Sequence, residues 1–188
     1  YGLDVLPHIP DRFEEGYGIN TQSVENLKSK IPNLKLIITV DNGIVAYEGI
    51  KKAKELGIDV IVIDHHTLGS IELATSYVLH STLVSGSGLS WFFAKELSTV
   101  HVSQSTGLEL AAIGTIADQL PLTGVNLSIV KYGLSELNKT KRQGLLALFK
   151  ESCIEKDNGQ SVSIGTYEVG YIIAPRINAM GRLKHGIE

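Results

Sequence analysis

Leu36-Ile37-Ile38-Thr39-Val40-Asp41-Asn42-Gly43 and Val60-Ile61-Val62-Ile63-Asp64-His65-His66 are the two stretches that decide the fold. Each opens with an unbroken run of β-branched and apolar residues, the mark of a parallel strand buried on both faces. Between them Ile44, Val45, Tyr47, Ile50, Ala53 and Leu56 recur among Glu and Lys at the spacing of an amphipathic helix. Gly57 then supplies a helix stop. Strand, helix and strand at this length make a βαβ unit, with a right-handed crossover and parallel neighbouring strands.

Upstream, residues 4–9 read as a further short strand and residues 23–31 as a helix closed by Pro32. Downstream the pattern turns helical over residues 90–97, 108–117, 125–137, 143–150 and, despite Pro175, 169–183. Ser85-Gly86-Ser87-Gly88 reads as the turn that starts a helix rather than as a linker. The expected fold class is α/β, a parallel sheet flanked by helices and followed by a mainly helical half, in one domain over residues 1–188.

With 188 residues, 43% of them hydrophobic, the chain can bury one substantial core but not two. No run of about 18 apolar residues reads as a membrane span. The first ten residues lack the basic-then-apolar order of a secretory signal. Cys153 is the only cysteine, which excludes an intramolecular disulfide, suggests a reducing cytoplasm and reads as a small core filler. A net charge of −3 offers no global attraction to nucleic acid, so any such contact must come from local Arg and Lys clusters.

Asp41 follows the first strand and Asp64-His65-His66 the second. In a parallel βαβ unit both emerge at the carboxyl ends of adjacent strands, the edge where open α/β sheets bind ligands. Carboxylate and imidazole delivered together there suit a divalent metal. Taken singly, each feature has a plainer reading: Asn-Gly as a turn, Asp as a helix cap, two histidines as surface residues. Their placement at one rim is what favours a site. Asp118 ends an apolar helix, where the dipole disfavours negative charge and a cation would offset the cost; the plainer reading is a solvated Asp opening the turn at Pro121. Arg176, Asn178 and Arg182 lie in one apolar run, and a guanidinium fork suits phosphate, although structural salt bridges would explain the arginines equally well.

Together these segments resemble the RecJ branch of the DHH phosphoesterase superfamily. The matching text is Ile9-Pro10-Asp11-Arg12 with Glu15-Gly16-Tyr17-Gly18, Val40-Asp41-Asn42-Gly43, Asp64-His65-His66, Gly114-Thr115-Ile116-Ala117-Asp118 and residues 175–183. The segments occur in the family's order and cover nearly the whole chain. The resemblance implies a single-strand-specific 5′→3′ exonuclease of DNA repair and recombination, working by two-metal hydrolysis with manganese or magnesium. In that reading Asp41 bridges the two metals, and His65 and Asp118 complete the coordination of one of them. His66 faces the scissile phosphate and Asp64 supports the pair from behind. Arg182, Asn178 and Arg176 hold phosphates of the strand, with Arg12 as a further candidate, and Tyr17 stacks on a base. The implied partners are single-stranded DNA, a single-strand-binding protein and a helicase, with no membrane.

The sequence departs from that pattern in several places. The family's first Asp-rich motif, its DHH-associated domain and its OB-fold have no counterpart here, so this stretch alone is expected to show little nuclease activity. Residues 77–85 also lack the family's Asn-Pro and the loop that follows it. Two other readings compete: a DHH phosphoesterase of short oligonucleotides, cyclic dinucleotides or pyrophosphate, and a catalytically silent RecJ-like replisome scaffold. A generic Rossmann-like binder is disfavoured, because no Gly-x-Gly-x-x-Gly loop follows either strand.

Overall fold

A computed structural model describes residues 5–10, 15–75, 77–97, 107–154 and 163–183. Helix α1 (Thr21–Lys30) is started by a reciprocal cap: the Asn20 side chain accepts from the Ser23 N–H, and Ser23 Oγ accepts from the Asn20 N–H. Strand β1 (Leu36–Val40), helix α2 (Tyr47–Glu55) and strand β2 (Asp59–Asp64) form the expected βαβ unit, in which Ile37 pairs with Val60 and Val40 with Ile63. Gly57 has φ +68°, a left-handed conformation that ends α2 at little steric cost. A third strand, β3 (Val78–His80), lies parallel on the far side of β2, so the sheet order is β1-β2-β3.

The faces of β2 divide the packing. Val60 and Val62 join Val24, Ile44, Ile50, Ala53 and Ile58 beneath α1 and α2. Ile63 joins Val84, Leu89, Ala111, Ala112 and Ile129, which come from α3 (Gly86–Leu97), α4 (Leu108–Ala117), α5 (Gly124–Leu137) and the turn before α3. Each such Ile or Leu contributes about 1.5–3 kcal/mol through burial. A second, wholly helical core unites Ile113, Leu137, Leu145, Phe149, Val169 and Ile173 around α4, α5, α6 (Gln143–Glu151) and the last helix. That helix contains a π-helical stretch (Glu168–Ile173) after one short α-helical step and continues as α7 (Ala174–Leu183). Pro175 explains the widened turn: in a regular α-helix its ring would meet the carbonyl of Tyr171, four residues earlier.

The fold is therefore α/β, a parallel sheet flanked by helices and followed by a helical half. Several details differ from the sequence reading. Residues 5–10 form no strand, and Pro7 and Pro10 have no N–H to donate to a ladder. Strand β3 was not anticipated. Strand β1 is not buried on both faces, because Leu36, Ile38 and Val40 are exposed while Thr39 is buried. Helix α2 begins at Tyr47 rather than Ile44, and the Ile44 N–H ahead of it donates to the Asp64 carboxylate. Cys153 is exposed rather than core, in the turn after α6 with φ 52°. Among the described residues, no helix is long and apolar enough to cross a membrane.

Candidate metal centre

All three strands deliver side chains to one rim of the sheet. Asp41 leaves β1 in a sharp turn with φ 61°, a left-handed conformation that costs a non-glycine residue about 1–2 kcal/mol but that Asp tolerates better than most. The turn aims its carboxylate across the end of β2. His65 Nε2 lies 3.1 Å from Asp41 Oδ1 and 3.3 Å from Asp118 Oδ2. The His65 ring is largely buried, whereas both carboxylates remain open to solvent. Asp118 arrives from elsewhere in the fold as the C-cap of α4, its N–H donating to the Gly114 carbonyl.

Asp64 plays a different part. Its residue is 1% exposed. Oδ2 accepts from the Ile44 N–H at 2.9 Å, while Oδ1 accepts from the N–H of His65 at 2.7 Å and of His66 at 3.2 Å. Oδ1 also accepts from His66 Nδ1 at 2.7 Å. A carboxylate only accepts, so Nδ1 carries the proton and Nε2 of the exposed His66 ring is left for a ligand. Asp64 thus ties the segment after β1 to the end of β2 and orients both histidines.

The electrostatics follow from these contacts. Partial desolvation at the crowded rim pushes the Asp41 carboxyl above its ordinary value although its side chain is 59% exposed; His65 pulls it down, and the Asp118 carboxylate pushes it up again. Burial also works upward on Asp64, but the hydrogen bonds from Ile44, His66 and His65 outweigh it and hold that carboxyl below the ordinary range. The hydrogen bond to Asp64 raises the pKa of His66 against the opposing effect of burial. Donor atoms of Asp41, His65 and His66 lie within 4.8 Å of one another, and this set of carboxylate and imidazole ligands fits a divalent transition metal.

The other residues singled out from sequence are placed less tightly. Tyr17 is exposed in the loop before α1, and its neighbour Gly18 lies against the Asn42 side chain at the rim. Arg176 and Asn178 lie exposed on α7 rather than within an apolar interior, and Arg176 Nη1 donates to the Ile172 carbonyl of its own helix at 2.9 Å. The backbone of Arg182 belongs to α7, while its side chain and all of Arg12 lie outside the described residues. Two contributors were not singled out. His80 Nε2 reaches the His66 carbonyl at 2.7 Å, and Gly86 sits against Asp41. The Ser-Gly-Ser-Gly segment marks where α3 begins, but not which residue it touches.

The N-terminal domain of the DHH family matches residues 1–115. The chain belongs to the DHH family. Within it, the relatives are RecJ proteins. The single-stranded-DNA-specific exonuclease RecJ of Bacillus subtilis is 40% identical over 188 residues, covering 94% of this chain and 22% of that protein. The Thermus thermophilus RecJ is 36% identical over 197 residues, covering 97% of this chain and 27% of that protein. A crystal structure of exonuclease RecJ bound to manganese superposes with TM-score 0.76 at 35% identity, over 99% of this chain and 48% of that one. The RecJ of Thermus thermophilus in complex with Mn2+ gives 0.66 at 33% identity, over 85% of this chain and 25% of that one. This DHH chain is thus homologous to the RecJ exonucleases and spans roughly a quarter of the length of the two curated relatives.

Proposed function

We propose that this DHH chain carries the metal-binding core of a single-strand-specific 5′→3′ exodeoxyribonuclease acting in DNA repair and recombination. The observation that carries the reading is the position of His65 Nε2 between the carboxylates of Asp41 and Asp118, at the ends of two parallel strands and a helix. Asp41, His65 and Asp118 would hold a manganese or magnesium ion, which supplies Lewis-acid charge to a scissile phosphate and its leaving oxygen. Asp64 keeps the two histidines in register. His66, its ring exposed and its Nδ1–H donating to Asp64, would meet the phosphate as the imidazolium favoured by Asp64, with Nε2–H as the donor. Arg182, Asn178, Arg176 and Arg12 would hold backbone phosphates, and Tyr17 would stack on a base near the rim. A narrow groove reading backbone and base faces suits single strands without sequence preference.

Calorimetric titration of the chain with manganese tests the reading, alongside Asp41→Ala and His65→Ala. Binding weakened by both substitutions supports it. A folded wild-type chain that binds no manganese, or binds it equally well in both variants, removes its basis. Processing of long 5′-labelled single strands in preference to dinucleotides, by a protein containing this chain, distinguishes it from a phosphoesterase of short substrates.

A further inference from the structure

The two histidines stand at the start of a weakly anchored stretch. Residues 66–72 are all exposed, and among the described residues no backbone hydrogen bond holds residues 67–74. On the upstream side the Asp64 carboxylate takes both N–H groups of the His65–His66 turn. Asp64 can do nothing for the carbonyl of His66, because a carboxylate has no proton to donate. That carbonyl is held from the third strand. In the β2–β3 register Asp64 pairs with His80, which brings the end of β3 to the same rim. His80 Nε2 lies 2.7 Å from the His66 oxygen, and since a carbonyl only accepts, His80 is the Nε2–H tautomer. The contact comes from the segment in which the sequence departs from the family pattern.

We propose that His80 is a positioning residue for the metal centre: by donating Nε2–H to the His66 carbonyl, it fixes the peptide after His66 and thereby the rings of His65 and His66. Its importance for metal binding rests on the function proposed above; its effect on the His66 ring does not. The backbone of the Asp-His-His turn is then pinned on both sides, its N–H groups by Asp64 and its last carbonyl by His80. Partners that orient metal ligands from behind commonly change metal affinity by about 10–100-fold when removed.

The test compares wild type with His80→Phe, which fills the space without a donor, and His80→Gln, whose side-chain amide places an N–H at the same number of bonds from Cα. The first readout is the ¹⁵N ring spectrum of the metal-free chain. A single Nδ1–H signal for His66 is expected in wild type and His80→Gln, and a shifted or broadened one in His80→Phe. The second is manganese affinity, expected to fall about tenfold or more in His80→Phe and to recover in His80→Gln. Similar melting temperatures for the metal-free variants exclude simple unfolding. An unchanged His66 signal in His80→Phe, or a His80→Gln spectrum as disturbed as that of His80→Phe, overturns the proposal. If the His66 ring responds as expected but wild type binds no manganese, the positioning role stands and the metal-centre reading fails.

Discussion

Gly86 lies so close to Asp41 that a Cβ added to it would come within 2.7 Å of the Asp41 Cβ. The first turn of α3 and the turn after β1 therefore occupy positions that only glycine permits together. The contact also sets the Asp41 carboxylate beside a helix N-terminus, where the dipole favours negative charge.

Gly86→Ala should separate site from scaffold. Alanine is the better helix former by about 1 kcal/mol, so the helix itself loses little. Asp41 must move to make room, and manganese affinity should drop by about tenfold or more. Calorimetry beside thermal melting reads both quantities. A variant that binds manganese as wild type does would show that the Asp41 position is not set by this contact.

Asp41→Asn probes the opposite balance. An acid whose folded pKa is raised above its unfolded value penalises the fold once it ionises, and that penalty grows as pH rises through the folded pKa. Asp41 is such a group, mainly through partial desolvation. Asparagine tolerates the left-handed φ of 61° as well as Asp does and carries no charge. Without metal, the variant should melt at the same temperature as wild type or higher at neutral pH. Wild type saturated at 100 times its Kd should gain about 2.7 kcal/mol from manganese, and the variant much less. Melting curves with and without the ion check both halves.

The parts of this fold that were legible are those where the signal is local. The β-branched runs ending in Asp41 and in Asp64-His65-His66 announce two strands and a shared rim, because side chains at strand ends need no long-range information to be placed. Asp118 could be suspected from its unfavourable position at a helix end. Strand β3 is three residues long, too short for any period, and exists only because β2 is there to pair with it. Its product, the His80 contact to His66, was therefore invisible. Leu36, Ile38 and Val40 look like core by composition, yet burial depends on what packs on that face, which no run of apolar residues specifies. The same is true of Cys153, set outward by a positive-φ turn after α6.

Thr115 illustrates a buried polar link with a measurable cost. It is fully buried; its Oγ1 donates to the Ala111 carbonyl at 2.8 Å and pairs with Ser85 Oγ at 2.8 Å. Ser85 in turn accepts from the Gly88 N–H at 3.1 Å, capping the helix whose first residue touches Asp41. Thr115→Val keeps the shape but removes the nearer of two hydroxyl partners of Ser85, the other being Ser87 Oγ at 3.0 Å, and should cost about 1–3 kcal/mol. Thr115→Ser keeps the hydroxyl, loses one methyl, and should cost about 1 kcal/mol. In urea denaturation the valine midpoint should fall further than the serine midpoint, with slopes unchanged. The reverse order would mean that the methyl packing, not the hydroxyl, matters there.

Asp64 should dominate the acid limb of the stability profile. Its carboxyl is held below the ordinary range, so its contribution is complete above the unfolded-state pKa of about 3.9 and is lost as pH falls through the lower folded value. Asp64→Asn removes that dependence, because an amide does not titrate in this range. It also places donor hydrogens against the N–H groups of Ile44, His65 or His66, so the variant should be less stable at neutral pH by about 1.5–3 kcal/mol. Urea denaturation of both proteins at a series of pH values should show two curves that are well separated at neutrality and converge below the ordinary carboxylate range. Curves that stay parallel down to the acid transition would mean that the Asp64 charge contributes nothing, and that the hydrogen bonds it accepts do not depend on its ionisation.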